Sequence, residues 1–283
     1  MTLNYFITML RSSLNRNWQQ INRNFGNNTK IKCKRLEEKV AIVTASTSGI
    51  GFAIAKRLAE EGAKVVISSR KESNVQQALK QLKSKGLNVY GTICHVGKNE
   101  DRKSLFERTI QEFGSLDILI LSAGTNPNPC TLFDTSESLW DKIFDINLKS
   151  TFLLMKDSLP FLRKSKSASI ILLSSIAAYA PLELLGAYAI SKTALLGLTQ
   201  MASTSLVSEG IRVNCIAPGI INTKFSKILR EGDLKEILLS KIPMQKYGSV
   251  DDVAGIAAFL ASDDALYVSG ETIIAAGGFT CRL

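Results

Sequence analysis

Tyr188 and Lys192 stand four residues apart in the run Tyr-Ala-Ile-Ser-Lys-Thr-Ala-Leu. On a helix that spacing places both side chains on one face. A phenol ionising at about pH 10 is a poor acid or base at neutral pH. A neighbouring ammonium favours the phenolate, by about 1.4 kcal/mol for each tenfold change in ionisation. The pair is therefore suited to proton transfer, with Tyr188 exchanging a proton with a substrate oxygen. Ser175, thirteen residues upstream, offers a hydroxyl to the same oxygen. A Tyr and a Lys at this spacing are frequent on exposed helices, so the assignment rests on what surrounds them.

Ser175 follows Ile170-Ile171-Leu172-Leu173, an apolar run that reads as a buried strand whose carboxyl end opens onto a ligand crevice. From Lys39 onward, short β-branched runs alternate with amphipathic stretches, the pattern of a parallel sheet covered by helices on both faces. The predicted strands are Val40 to Thr44, Val65 to Ser68, Val89 to Cys94, Ile118 to Leu121, Ile170 to Ser174, Arg212 to Ala217 and Glu271 to Ile274. Seven strands with six crossovers predict an α/β fold, a single-domain, doubly wound parallel sheet of the Rossmann type. The expected divisions are a basic extension over residues 1–35, the folded domain over 36–280 and a terminal tripeptide, 281–283.

Between the first strand and its helix lies Thr44-Ala45-Ser46-Thr47-Ser48-Gly49-Ile50-Gly51. Small residues there let backbone N–H groups and a helix N-terminus approach a pyrophosphate. After the second strand comes Ser68-Ser69-Arg70-Lys71, where a sheet that prefers NAD usually offers an acid to the ribose hydroxyl. Neutral Ser69 accommodates a 2′-phosphate, and Arg70 binds it through a charge-assisted contact worth about 1.5 to 3 kcal/mol. NADP(H) is the expected cofactor.

Taken together, the glycine turn, Ser175, Tyr188-x-x-x-Lys192, Asn147 in Asp145-Ile146-Asn147, and Pro218-Gly219 form a pattern. Over residues 36 to 283 the chain resembles the short-chain dehydrogenase/reductases. That resemblance implies that Asn147 joins Ser175, Tyr188 and Lys192 as a catalytic group, holding a water on the proton relay. Lys192 would also bind the nicotinamide ribose, and Thr223 the carboxamide. The remaining cofactor contacts it implies are Ser46, Thr47, Ser48, Gly49, Ile50 and Gly51 on the turn and Ser69, Arg70 and Lys71 after the second strand. His95 and Val96 would lie on the adenine side, with Ser122, Ala123, Gly124, Pro218 and Gly219 along the crevice.

A narrower likeness, carried by Cys94-His95-Val96-Gly97-Lys98, Ser174-Ser175-Ile176-Ala177-Ala178 and the Arg-Leu terminus, is to the peroxisomal NADPH-dependent carbonyl reductase and retinol dehydrogenase branch of that family. It implies a small lipophilic carbonyl or alcohol substrate (ketones, α-dicarbonyls, retinal or retinol) and a homotetramer. Three positions depart from the family pattern. Ala45 replaces a glycine at the tight turn, which should alter the turn slightly. Leu121-Ser122 stands where two asparagines are usual, removing amides that tie the central strand to its neighbours. His95 replaces an adenine-contacting Asp and belongs away from the chemistry.

The net charge of +10 is uneven: residues 1–36 hold seven Lys or Arg and no acid, leaving 28 basic against 25 acidic residues beyond. That distribution gives no nucleic-acid module. The first 26 residues carry apolar positions at roughly helical spacing among Arg11, Arg16 and Arg23, and read either as a mitochondrial transit peptide or as an Asn-rich extension. Cys281-Arg282-Leu283 resembles a peroxisomal import tripeptide, so the peroxisome and its import receptor are expected, with the mitochondrion as the alternative. Five scattered cysteines without CxxC spacing argue against a disulfide framework or a metal site, and no apolar run is long enough to span a membrane. Two rival functions share the pattern: a 3-oxoacyl thioester reductase, for which Leu182, Leu184 and Leu185 would form an apolar lip, and a fold-retaining binding protein without catalysis.

Overall fold

The computed structural model describes residues 34–230, 232 and 234–279. The two expected targeting segments, the basic start and Cys281-Arg282-Leu283, lie outside the described residues. The strands are β1 (Val40–Val43), β2 (Lys64–Ser69), β3 (Val89–Ile93), β4 (Ile118–Leu121), β5 (Ala168–Leu173), β6 (Ile211–Pro218) and β7 (Thr272–Ala275). They form one parallel sheet in the order β3-β2-β1-β4-β5-β6-β7. Every strand was legible to within two residues; the central strands β1, β4, β5 and β6, buried on both faces, read as mainly apolar runs.

The helices are α1 (Gly49–Glu60), α2 (Glu72–Lys83), α3 (Asn99–Phe113), α4 (Glu137–Phe144), α5 (Ser150–Leu162), α6 (Gly186–Leu206), α7 (Leu234–Ser240) and α8 (Val250–Ala261). Alternate residues of each strand point to opposite faces. Ala41, Val43, Ile118 and Ile120 join α1 and α8 in one core, whereas Ile42, Leu119, Leu121 and Leu172 join α3, α5 and α6 in the other. Strand order reverses between β1 and β4, so their carboxyl ends part and leave a crevice. The turn from β1 into α1, the end of β5 and the start of α6 all meet there.

Candidate active site

Ser175 sits just beyond β5, and its Oγ accepts the Ala177 N–H at 3.1 Å, capping the short 3-10 turn Ile176–Ala178. The same hydroxyl lies near enough to the Tyr188 phenol to favour its ionised form. Tyr188 and Lys192 share one face of α6, with Lys192 Nζ 5.7 Å from the Tyr188 ring centroid. Both are buried, at 8% and 4% exposure. Lys192 Nζ donates to the Leu173 carbonyl at 2.7 Å.

Burial dominates both ionisations. It pushes the Tyr188 phenol up to about 12, with the Ser175 hydroxyl pulling the other way, and it pulls the Lys192 ammonium down to about 8, against the opposing effect of Cys215. Burial, the larger cause, sets the net direction of the Tyr188 shift, because taking a phenolate out of water is costly. At neutral pH the site holds a protonated phenol beside a mostly protonated amine, which suits Tyr188 to proton donation.

Asn147 is fully buried within a π-turn, Asp145–Lys149, between α4 and α5. Both of its amide N–H groups are spent inside the protein, on the Thr125 carbonyl and on Ser191 Oγ, each at 3.0 Å. Its Oδ1 accepts the Thr125 N–H at 2.7 Å. The side chain has no N–H left for a water.

Beside Tyr188 and Lys192 opens a cleft of about 590 Å³ whose walls include Ser48, Gly49, Ile50, Gly51, Ser122, Gly124, Pro218 and Thr223. A Cβ on Gly51 would stand 2.6 Å from the Ala45 carbonyl oxygen, so only glycine lets the turn close. Ala45 adopts φ +50°, a left-handed conformation that strains an L-residue with a side chain by about 1 to 2 kcal/mol. The turn therefore keeps the shape a glycine would give it.

Several expected contacts take other places. Ser46 is fully buried and structural: its hydroxyl donates to the Val43 carbonyl at 2.5 Å and accepts the Ser68 N–H at 3.0 Å, locking β1 to β2. Ala123 and Val96 are core residues. His95 Nδ1 accepts the Gly97 N–H at 3.2 Å, and its own backbone N–H donates to Asp101. Thr47, Ser69, Arg70, Lys71, His95 and Val96 are absent from the cleft wall, but Arg70 is exposed beyond β2 with no ion-pair partner among the described residues. Ser68 Oγ, next to it, is buried without a hydrogen-bond partner.

The missing asparagine amides are replaced by a residue the sequence did not single out. Thr44 Oγ1 accepts the N–H groups of Ser122 and Ala123, at 3.0 and 3.3 Å, and donates to the Ile120 carbonyl, tying β1 to β4. A hydroxyl at the last buried position before a turn was the available signal.

On the other side of Tyr188 lies a cavity of about 120 Å³, walled mainly by Leu182, Leu185, Ile228, Leu229 and Phe279, with Ser175 on its polar side. Leu182 and Leu185 are where the lip was expected. Leu184 is not: it is 41% exposed and outside this wall. Phe225 places its ring 5.8 Å from that of Tyr188. Phe279, distant in sequence, carried no local signal.

The glycine-lined cleft, the Tyr188 phenol at its edge and the exposed Arg70 beyond β2 fit a dinucleotide. A protein with this switch-point turn, Tyr188 and Lys192 on the cleft wall and Ser175 on the cavity that adjoins it at Tyr188 is a nucleotide-dependent oxidoreductase in architecture. A family model described as enoyl-(acyl carrier protein) reductase matches residues 44–280. The chain is 50% identical over 249 residues, 88% of its length and 89% of the relative's, to dehydrogenase/reductase SDR family member 4 of Bos taurus. It is 49% identical over 249 residues, 88% of each chain, to human dehydrogenase/reductase SDR family member 2, mitochondrial, and 46% identical over 255 residues, 90% of this chain and 98% of the relative, to tropinone reductase-like 3 of Erythroxylum coca. The chain belongs to the short-chain dehydrogenase/reductase family, whose members use nicotinamide cofactors. Among the described residues no helix is long and apolar enough to cross a membrane.

Proposed function

We propose that this oxidoreductase is NADP(H)-dependent and interconverts carbonyl and alcohol groups of small lipophilic substrates such as ketones, α-dicarbonyls and retinal or retinol. The observation that carries the reading is the Tyr188 phenol, set near the Ser175 hydroxyl where the glycine-lined cleft meets the apolar cavity. When bound, a nicotinamide cofactor supplies or accepts the hydride. The β1–α1 turn holds the pyrophosphate, Lys192 the ribose, Thr223 the carboxamide and Arg70 the 2′-phosphate. In reduction, Ser175 donates a hydrogen bond to the carbonyl oxygen and Tyr188 gives that oxygen its proton. A phenol held at about 12 still protonates a nascent alkoxide, which is a far stronger base. Lys192 supports the phenolate left behind. Oxidation reverses each step.

The test is turnover by the purified chain with NADPH and with NADH on retinal, an α-dicarbonyl, a simple ketone and a 3-oxoacyl thioester. Faster reduction of the free carbonyls with NADPH is expected. Preference for the thioester would favour the acyl reductase reading, which the description of the matching family model supports. No turnover of any carbonyl, with Tyr188→Phe changing nothing, would leave a non-catalytic binding protein. The same family reading proposes a homotetramer, checked by sedimentation, and import into the peroxisome through the terminal tripeptide. Imaging variants that lack either end separates that destination from the mitochondrion, the word carried in one relative's name.

A further inference from the structure

The hydrogen bonds around Asn147 give a role to Ser191, a residue within the Tyr-x-x-x-Lys run that neither touches the cleft nor lines the cavity. Ser191 is fully buried. Its hydroxyl donates to the Tyr188 carbonyl at 2.7 Å and accepts the Asn147 Nδ2–H at 3.0 Å. Asn147 in turn grips Thr125 at both backbone groups. The adjoining Gly124 lies close to both Lys192 and Asn147: a Cβ there would stand 3.3 Å from Lys192 Nζ and 3.7 Å from Asn147 Oδ1. One buried hydroxyl thus links the first turn of α6, the π-turn and the cleft wall after β4, three elements with no covalent proximity.

We propose that Ser191 is a positioning residue for the reaction, fixing Tyr188 and Lys192 in register with the cleft wall at Gly124-Thr125 through Asn147. This inference rests on the catalytic reading of Tyr188. Without the Ser191 hydroxyl, one Asn147 N–H is buried and unpaired, and the amide must rotate or admit water to satisfy it. Either response loosens its grip on Thr125 and lets the wall shift against Lys192. An i to i−3 hydroxyl bond to a helical carbonyl is common as mere helix decoration. What distinguishes this one is that its oxygen is also the acceptor for a buried amide from another element.

The test compares Ser191→Ala, Ser191→Cys and wild type. Ser191→Ala is expected to lower kcat about 10- to 100-fold, as displacements of about 1 Å do, with KM for NADPH nearly unchanged. Ser191→Cys should recover part of the loss. The kcat losses of Ser191→Ala and Asn147→Ala should fail to add in the double variant, because the two act as one unit. Hydrogen exchange at the Thr125 amide, read without any substrate, should quicken in Ser191→Ala. A folded Ser191→Ala protein with wild-type kcat, or with Thr125 exchange unchanged, would overturn the proposal. So would equal falls in kcat and melting temperature that Ser191→Cys does not relieve, since they would mark a purely structural hydroxyl. Should the wild type turn over no carbonyl while Thr125 exchange still responds, the catalytic reading fails and the linkage stands.

Discussion

The two halves of the crevice are built on opposite principles. At the glycine turn the walls are backbone and small exposed residues, such as Ala45, Ser48 and Gly49, and the proposed phosphate contacts are N–H groups, a helix terminus and the exposed Arg70. Across from it, Tyr188, Lys192 and Asn147 are buried side chains and Ser175 a half-buried one, and the protein itself holds Ser175, Lys192 and Asn147 by hydrogen bonds. A phosphate is charged and must be met by donors open to solvent, so the first half stays wet. Tyr188 and Lys192 are buried, and burial disfavours the charged form of each, so the second half is governed by desolvation. Substitutions should therefore act through charge and backbone shape on one side, and through desolvation and packing on the other.

That contrast can be broken most decisively at Tyr188. Tyr188→Phe should reduce carbonyl turnover about 10²- to 10⁴-fold while leaving NADPH affinity, measured by fluorescence titration, close to wild type. A matching loss of affinity would mean that the two halves are not separable. Next in size, Arg70→Ala should weaken NADPH binding about 10- to 100-fold and NADH binding little. Equal losses for both cofactors would remove the 2′-phosphate role.

Burial on the catalytic side predicts a pH signature of stability. Lys192 loses its proton at about 8 when folded, below its ordinary 10.5. Between those values the unfolded chain binds more protons, so stability rises with pH. Tyr188 has the opposite sign: its folded phenol keeps its proton to about 12 rather than 10, and stability falls as pH climbs through that range. Thermal melts should show wild type gaining a few degrees over Lys192→Met between pH 8 and 10. Parallel curves would show that the ammonium is not desolvated. Smallest of all, Ala45→Gly should relieve left-handed strain and raise stability by about 1 kcal/mol, roughly 2–4 °C in a chain of this size, without altering turnover.

The sheet was legible because its central strands are buried on both faces and carry their own apolar runs, and the order of turns and helices between them admits few topologies. The Tyr188–Lys192 pair was legible for a related reason: a four-residue spacing is a local property of a helix. The glycine turn, too, announces itself in sequence, since a Cβ at Gly51 is excluded by atoms only a few residues away. Ser46 locks two strands through its hydroxyl, a role the sequence does not distinguish, because a small polar residue in a turn has the same letter whether it faces a ligand or holds the fold. Thr44 and Ser191 lie inside sequence motifs, but nothing local tied their hydroxyls to partners on other strands and helices, and Phe279 had no local signal at all.

Residue type and spacing alone settled the parallel α/β sheet, the helix face that unites Tyr188 with Lys192, and the acid-free step at Ser69-Arg70, all of which depend on neighbours within a turn or a strand. Tertiary structure decided that Tyr188 stores its proton rather than releasing it, that Asn147 is spent on Thr125 and Ser191, and that Phe279 closes the cavity. Those outcomes depend on desolvation and on contacts between elements distant along the chain, and neither is a property of any short stretch of sequence.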